Sequence, residues 1–584
     1  MATFKTPGVY VQEIPTIPSS IAPVATAVPG FVGYTEKAMI KGAQWNYSNG
    51  PAPPVRITSL LQFEQIFGLP YHEKFTVTLT NPNPSVITIG VVKNPPVADF
   101  VLYYQMQMFF SNGGGVCWVV SVGDYSPGIL KSDLLAGIAL YEPIDEVTLL
   151  LTPEAISLTG SGFRREINDA MLAQCAKLGD RFSVLDVFTT GDVNQDGVDF
   201  RNNDVGPDNL KYGAAYYPSL KTPLNSFYLD DEVVIVDNRV PTPSPSYGVF
   251  PNNTLLTVQN GLSDSLVVTF TTTDPLDTET LVVDGNTFTA KTTPVAATDF
   301  QIVPGVPAST AANLEAVMKK ANLTKFIITR NGAAVGIRVA VSGPTTPAIV
   351  FSENLTGTST LPATSPMTGG VNNSSNKELY NRIKAELNTY KLTLYPASSM
   401  VGIYSRVDNE RGVWQSPANV GVRTVNLPFV LVTAEQQENL NIDSTSGKSI
   451  NAIRKFVGRG NIVWGARTLA GNDNEWRYVN VRRLFLMIEE SVQEATEFVV
   501  FEPNTANTWQ RVKGMIDAFL TNLWRDGALA GAVPKDAFFV EVGLGTTMTP
   551  DDILNGIMNV RIGIAAVRPA EFIILKFSHK LQES

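Results

Sequence analysis

Apolar and polar positions change period several times along the chain, and each change marks an element. Leu102–Phe110, Ile129–Leu140 and Phe163–Leu178 read as helices; Val116–Val122, Val147–Thr152 and Phe182–Val187 read as short buried strands. Strands separated by helices predict an α/β sheet with helices covering its faces. Upstream, ITSLLQFEQIFG predicts an amphipathic turn or two of helix. FTVTLT and SVITIGVV predict a hairpin over residues 75–92, joined by NPNP, where Pro and Asn suit the turn. Downstream, helical periodicity covers Trp476–Phe498 and Trp509–Trp524. In the second, Trp509, Val512, Ile516, Phe519, Leu520 and Leu523 share one face, and Gly527 follows the end. Thr549-Pro550-Asp551-Asp552 is a helix start, with a capping hydroxyl, Pro in the first turn and two carboxylates near the positive end of the dipole. VRIGIAAV then returns to strand.

Residues 238–375 differ in texture. Pro, Thr, Ser, Gly and Asn dominate, and LLTVQ, SLVVTFTTT, LVVDGNTFTAK, FIITRNG and GIRVAVSG read as short strands with a helix near Ala311–Ala321. Asp284-Gly285 and Asn331-Gly332 are hairpin turn signals because their backbones take positive φ readily. With PTPSPS before it and TGGVNNSSN after it, this stretch predicts a separate, mainly β domain inserted into the core. Both chain ends are strand-like and lack a local partner. GVYVQEI puts Val9, Val11 and Glu13 on one side and Tyr10, Gln12 and Ile14 on the other. EFIILKFSHK sets Ile573, Leu575 and Phe577 against Ile574, Lys576 and Ser578. Taken alone, the first favours an edge within its own domain, as most terminal strands do.

At 584 residues the chain exceeds one core, and roughly 150 residues per domain suggests about three or four. Lys and Arg number 44 against 54 Asp and Glu, a formal charge of −10, so there is no overall basic footprint for nucleic acid or a membrane surface. The first residues lack the basic and apolar segments of a signal peptide, and no apolar run approaches the ~18 residues needed to span a bilayer. Synthesis in the cytoplasm is the expectation. Cys117 and Cys175 read as small buried hydrophobes, and two Cys with His72 and His579 have no short metal-ligand spacing.

Three strings carry a hint of chemistry, and each is incomplete. Asp192-Val-Asn194-Gln-Asp196-Gly197 copies the first half of a calcium loop, but Asn203 stands where the bidentate Glu belongs. Ser446-Gly447-Lys448-Ser449 ends like a phosphate-binding loop, with Ile442 in place of its first glycine. In FFSNGGGVCWVV the glycines precede the strand, whereas a phosphate cradle follows one. Asp230-Asp231 and Glu489-Glu490 are sequence neighbours and so point apart. The expectation is no catalytic residue, no metal and no cofactor.

DNERGVWQSPAN (408–419), GRGNIVWGARTL (458–469) and YVNVRRLFLMIEES (478–491), taken together and in order, resemble the core of contractile-tail sheath proteins of phages, R-type tailocins and phage-like extracellular injection systems. TPGVYVQE is similar to the N-terminal arm motif of that family, and FFSNGGGVCWVV and AAYYPSL (214–220) are family-like. The resemblance implies a multidomain α/β (α+β) fold. Its discontinuous sheath core comes from the N- and C-terminal halves, with an inserted mainly-β outer domain and extended terminal strand arms. The implied boundaries are a linker arm at 1–20, a first core part at 21–237, the insert at 238–375, a C-terminal core domain with an inter-protomer sheet at 376–565, and a second arm at 566–584.

It further implies a structural protomer that polymerises as stacked hexameric rings around an inner tube and contracts to drive the tube through a cell envelope, not an enzyme. The implied partners are further copies, sibling sheath proteins, the inner tube, the baseplate and terminator or cap proteins, with no nucleic acid and no membrane insertion. The arm residues are then Gly8, Val9, Tyr10, Val11, Gln12, Glu13 and Ile14, and Phe572, Ile573, Ile574, Leu575, Lys576 and Phe577. Asp551 and Asp552 are the candidates for facing the tube. Asp408, Glu410, Arg411, Arg482 and Arg483 are expected to form ion pairs that fix protomer contacts. An alternative reading is a carbohydrate- or calcium-binding adhesin built on the β insert.

Overall fold

The computed structural model describes residues 21–574 except 84–85, 96–98, 127, 161, 240–252, 261–264, 271–274, 276, 284–285, 322–325, 332, 340–349, 354–357, 360–363 and 367–372. The expected arm residues Gly8 to Ile14 and Leu575 to Phe577 lie outside the described residues, as do the turn at Asp284-Gly285 and His579. Two compact units divide the chain. One takes residues up to Tyr71, Val97–Leu224 and Lys391 onward; the other takes His72–Pro96 and Asn225–Tyr390.

The first unit is built on a nine-stranded sheet. In chain order its elements are β1 (Pro29–Gly33), β2 (Val55–Ile57), α1 (Leu102–Ser111), β3 (Cys117–Ser121), α2 (Lys131–Ala139), β4 (Leu149–Leu151), α3 (Phe163–Leu178), β5 (Phe182–Asp186), α4 (Val193–Asp199), β6 (Gly213–Tyr217), α5 (Ala397–Arg411), β7 (Val420–Gly421), β8 (Ile450–Phe456) and β9 (Gly460–Val463). The strand order is β7-β9-β8-β6-β5-β4-β1-β3-β2. The six central strands run parallel, and antiparallel strands close both edges. Parallel strands covered on both faces need unbroken apolar runs, which is why PGFVG, LLL and GAAYY are buried at every position.

The sheet reverses its winding beside β1. The chain goes from β1 to β3 on one side, then returns to β4 on the other. In sheets of this kind that reversal opens a crevice at the carboxyl ends of the strands. Here a carboxylate of the chain itself fills it. Glu154 is fully buried and accepts the backbone N–H of Tyr34 at 2.7 Å, Val101 at 3.1 Å and Leu102 at 3.3 Å. Burial pushes its carboxyl up to about 8, against the pull of those three donors. Gly33 makes the approach workable, because a Cβ there would lie 2.8 Å from Glu154 Oε2 and 3.0 Å from Leu102 Cδ2.

The C-terminal layer of the same unit comprises α6 (Val479–Thr496), α7 (Ala506–Arg525), β10 (Phe538–Val542), α8 (Pro550–Leu554) and β11 (Val560–Ile564). Val512, Ile516, Phe519, Leu520 and Leu523 of α7, spaced three and four apart, form one apolar core with Leu484, Met487 and Ile488 of α6 and Val540 of β10.

The second unit holds two cores. The hairpin Phe75–Asn83 and Val86–Lys93 joins Val234–Asp237 and Asn253–Thr254 in one sheet, packed with Leu379, Ile383 and Leu387 of the helix Asn373–Leu387. The other core places the helix Pro307–Lys320 against strands such as Thr280–Val283 and Ala334–Val339. One expectation fails here. LLTVQ, read as a strand, folds as the helix Leu255–Asn260, because Leu255 and Val258, three apart, are both buried against the core.

Replacing Gly33 by Ala is expected to destabilise the first unit by about 1–3 kcal/mol through overpacking against Glu154 and Leu102. Thermal unfolding followed by circular dichroism should show the midpoint falling, with the far-UV spectrum retained.

Candidate functional site

The three family-like strings all lie between residues 408 and 491, and they meet in the first unit. Arg483 of α6 reaches Asp408 of α5 with Nη1 to Oδ1 at 3.0 Å and Nη2 to Oδ2 at 2.6 Å. Its Nη2 also donates to the Thr26 carbonyl at 2.7 Å, while Thr26 Oγ1 donates to Asp408 at 2.6 Å. The Tyr404 ring lies under the guanidinium at 4.6 Å. Asn480 donates to the Trp414 carbonyl at 2.9 Å, Asn419 N to the Val463 carbonyl at 2.8 Å, and Val479 N to the Ala466 carbonyl at 3.0 Å.

For Asp408, Arg482 and Arg483 the expectation that these charges fix protomer contacts is therefore corrected, whereas Glu410 and Arg411 are exposed. The Asp408 and Arg483 side chains are 6% and 3% exposed and pair within the chain. Arg482 is also buried, held between the rings of Tyr212 at 4.6 Å and Trp476 at 4.7 Å. Arg411 meets Gln415 in its own turn.

What the chain leaves open is the sheet of the C-terminal layer. β10 and β11 pair antiparallel from Phe538↔Ile564 to Val542↔Val560, and among the described residues no other strand pairs with either. Two strands alone are marginal, so packing on α7 sustains the pair. Beside β11 runs a groove of 880 Å³, lined by Val560, Ile562, Met558, Val512, Ile516 and Val492 among others. Val500 and Phe501, at its margin, are 64% and 103% exposed.

The C-terminal strip leaves from a fixed point. Arg467 donates Nε to Glu571 Oε1 at 2.9 Å and Nη2 to Oε2 at 2.5 Å, and Tyr478 OH donates to Oε2 at 3.3 Å. The Arg467 side chain is 3% exposed and Glu571 18%. Beyond this anchor Phe572, Ile573 and Ile574 lie in no strand and are 69%, 78% and 80% exposed. Three consecutive large apolar residues in water represent unused burial of roughly 1.5–3 kcal/mol each. A second groove, of 530 Å³, borders the same exit and is lined by Trp464, Tyr478, Gln437 and Phe572 among others.

Asp551 and Asp552 start α8 as the sequence suggests, with unequal jobs. Asp552 completes a capping box with Thr549, its Oδ2 accepting both Thr549 N and Thr549 Oγ1 at 2.8 Å. Asp551 stays exposed near Leu554 and Ile557, which are 83% and 45% exposed.

The incomplete motifs are absorbed into the fold. Asp192 caps α4, and Asp196 accepts from Thr190 Oγ1 at 2.5 Å and Tyr217 OH at 2.8 Å, so that stretch is a capped helix with committed carboxylates. Lys448 is buried and donates Nζ to the carbonyls of Arg201 at 2.6 Å and Val205 at 2.8 Å, which leaves no ammonium aimed at a phosphate. Burial lowers its pKa. In the glycine turn after α1, a Cβ on Gly114 would lie 2.4 Å from the Phe109 ring, a packing reason for the glycine. Cys117 and Cys175 are buried free thiols. Among the described residues no helix is long and apolar enough to cross a membrane.

Comparison with known proteins bears on this layer directly, since residues 471–580 match the family model of the phage tail sheath C-terminal domain. Over that stretch the chain is similar to contractile tail sheath proteins. It is 28% identical over 127 residues to the tail sheath protein of Vibrio phage KVP40, and 28% identical over 112 residues to that of Enterobacteria phage T4. Those stretches are 22% and 19% of this chain, and span only 19% and 17% of the two relatives. Over the whole length the fold is that of solved contractile sheaths. The PVC sheath complex of an extracellular contractile injection system, in its contracted state, aligns at TM-score 0.53 and 23% identity, covering 100% of this chain and 99% of that one. The anti-feeding prophage helical sheath in its contracted state aligns at TM-score 0.51 and 24% identity, covering 99% and 100%.

Arg467→Ala removes the partner of Glu571, and breaking a buried pair in this way costs about 3–5 kcal/mol locally. Chymotrypsin is expected to cut the variant after Phe572 several-fold faster than the parent, as read by mass spectrometry of the released C-terminal peptide.

Proposed function

We propose that the chain is a structural protomer of a contractile tail sheath. It polymerises as stacked hexameric rings around an inner tube and contracts to drive the tube through a target envelope. The observation that carries this reading is the open β10–β11 pair with its apolar groove, in a chain that also exposes the apolar residues Phe572, Ile573 and Ile574. An edge of this kind recruits a strand by main-chain hydrogen bonding and by burial of alternate side chains. Gly8 to Ile14 and Phe572 to Phe577 have the alternation and length to supply such strands to neighbouring copies. At about 1 kcal/mol net per bond, four to six bonds give each arm roughly 4–6 kcal/mol before ordering entropy is subtracted.

Contraction then draws on assembly. The extended lattice is a kinetic trap, and the contracted one buries more protomer surface. The partners are further copies of the chain, with sibling sheath proteins where a particle has them, the inner tube, the baseplate and the terminator or cap. The particle is a phage tail or a phage-like contractile device assembled in the bacterial cytoplasm. No step in this cycle calls for a cofactor or a catalytic group. Asp551 at the start of α8, beside exposed Leu554 and Ile557, offers a charged and apolar surface for the tube.

Deleting residues 1–15 is expected to leave a folded protomer that forms no sheaths in negative-stain micrographs; normal sheaths from that deletion would overturn the reading. Asp551→Lys, which spares the capping box, is expected to weaken co-sedimentation with tube several-fold while sheath formation persists. Unchanged co-sedimentation would remove α8 from the tube face.

A further inference from the structure

The C-terminal half of α6 meets the sheet through a group of carboxylates that the arm exchange does not use. Oxygen atoms of Asp145, Glu490 and Glu494 lie within 4.8 Å of one another. Asp145 comes from the turn before β4, while Glu490 and Glu494 are one helical turn apart on α6. Glu490 is half-buried, and Asp145 and Glu494 are exposed.

The cations nearby are committed elsewhere. Arg181 forks onto Asp180 at 2.7 and 2.8 Å and donates to the carbonyls of Tyr141 and Ile144. Arg483, which shares a small cleft with Glu490, Asp180, Thr26 and Thr148, is bound to Asp408. Arg482 turns toward Glu489 and Tyr212. The charged groups around Glu490 are thus Glu494 and Arg483 on its own helix, Asp145 on the turn before β4, and Asp180 with Arg181 between α3 and β5. Among the described residues no ion pair compensates Asp145, Glu490 or Glu494.

We propose that this junction is an acid-tightened joint. Like charge across it loosens the C-terminal layer on the sheet at alkaline pH, and protonation of Glu490 closes it. The joint acts within one protomer and does not depend on how copies exchange strands. Burial first, then the charges of Asp180, Asp145 and Glu494, push the Glu490 carboxyl up to about 8, opposed by Arg181. A carboxyl raised in the folded state from its ordinary 4.5 binds its proton more tightly folded than unfolded. Stability is therefore lost as pH rises through the window between those two values and stays low above it. In an assembly that must turn its protomers, such a joint makes the stiffness of each subunit depend on pH.

The test compares the full-length chain with Glu490→Gln and with Asp145→Asn, and uses Glu475→Gln, an exposed carboxylate elsewhere, as the charge control. Each is measured at pH 6 and pH 9 by thermal unfolding and by hydrogen exchange of peptides covering residues 484–496. The parent and the control are expected to lose midpoint and protection between pH 6 and pH 9. Glu490→Gln is expected to lose less of both, the remaining loss coming from Glu154, with a midpoint about 3 °C above the parent at pH 9. Asp145→Asn should move in the same direction by a smaller amount. If Glu490→Gln and Asp145→Asn both follow the control at the two pH values, the joint is not acid-tightened and the proposal fails. A Glu490→Gln response without any from Asp145→Asn would equally overturn the repulsion, leaving desolvation alone.

Discussion

One buried guanidinium holds the halves of the first unit together. Arg483 spans α6, α5 and the segment entering β1, and its two nitrogens satisfy both oxygens of Asp408 and the Thr26 carbonyl. Removing either partner would strand a charge with under a tenth of its side chain in water, at a cost of about 3–5 kcal/mol. A lysine would not replace it, because it lacks the planar fork that meets both carboxylate oxygens side by side while also reaching the carbonyl. This cross-link lets residues near 26, 408 and 483 act as one body, and it seats the C-terminal layer against the parallel sheet.

On that seat the layer remains incomplete. Two strands, two long amphipathic helices and an apolar groove are less than a sheet needs to be self-sufficient. The first core shows the opposite economy, for six parallel strands are covered and even the crevice at the winding reversal is filled by Glu154. A closed core beside an open edge suits a part whose rigidity is internal and whose cohesion comes from its neighbours. The proposed sheath role follows from that division of labour. Energy placed in contacts between copies can be released by rearranging them, while each core stays folded.

The charge pattern adds a second tension inside the protomer. Four buried cations of the first unit are spent: Arg181, Arg483 and Lys448 on buried acceptors, Arg482 between aromatic rings. The carboxylates of Asp145, Glu490 and Glu494 are left to face one another. With a net charge of −10, repulsion of this kind is a general property of the chain, concentrated where a helix meets the sheet.

Much of this was legible in the sequence because local physics decided it. The apolar runs that became β1, β4 and β6, the α7 face at Val512, Ile516 and Phe519, and the Thr549 cap are short-range patterns whose meaning needs no distant partner. The family-like strings were legible for a related reason, since they are the segments whose side chains must meet. Tertiary structure alone settled which side chains meet. It turned Arg483 and Asp408 inward, where their spacing in sequence is silent on burial, and it gave Lys448 and Asp196 structural acceptors where the local strings suggested ligands. It also made LLTVQ a helix, because two buried positions three apart outweigh β-propensity once a core lies on one side. Periodicity reports which face of a segment is apolar; only the packed chain decides what that face, or a charge beside it, will touch.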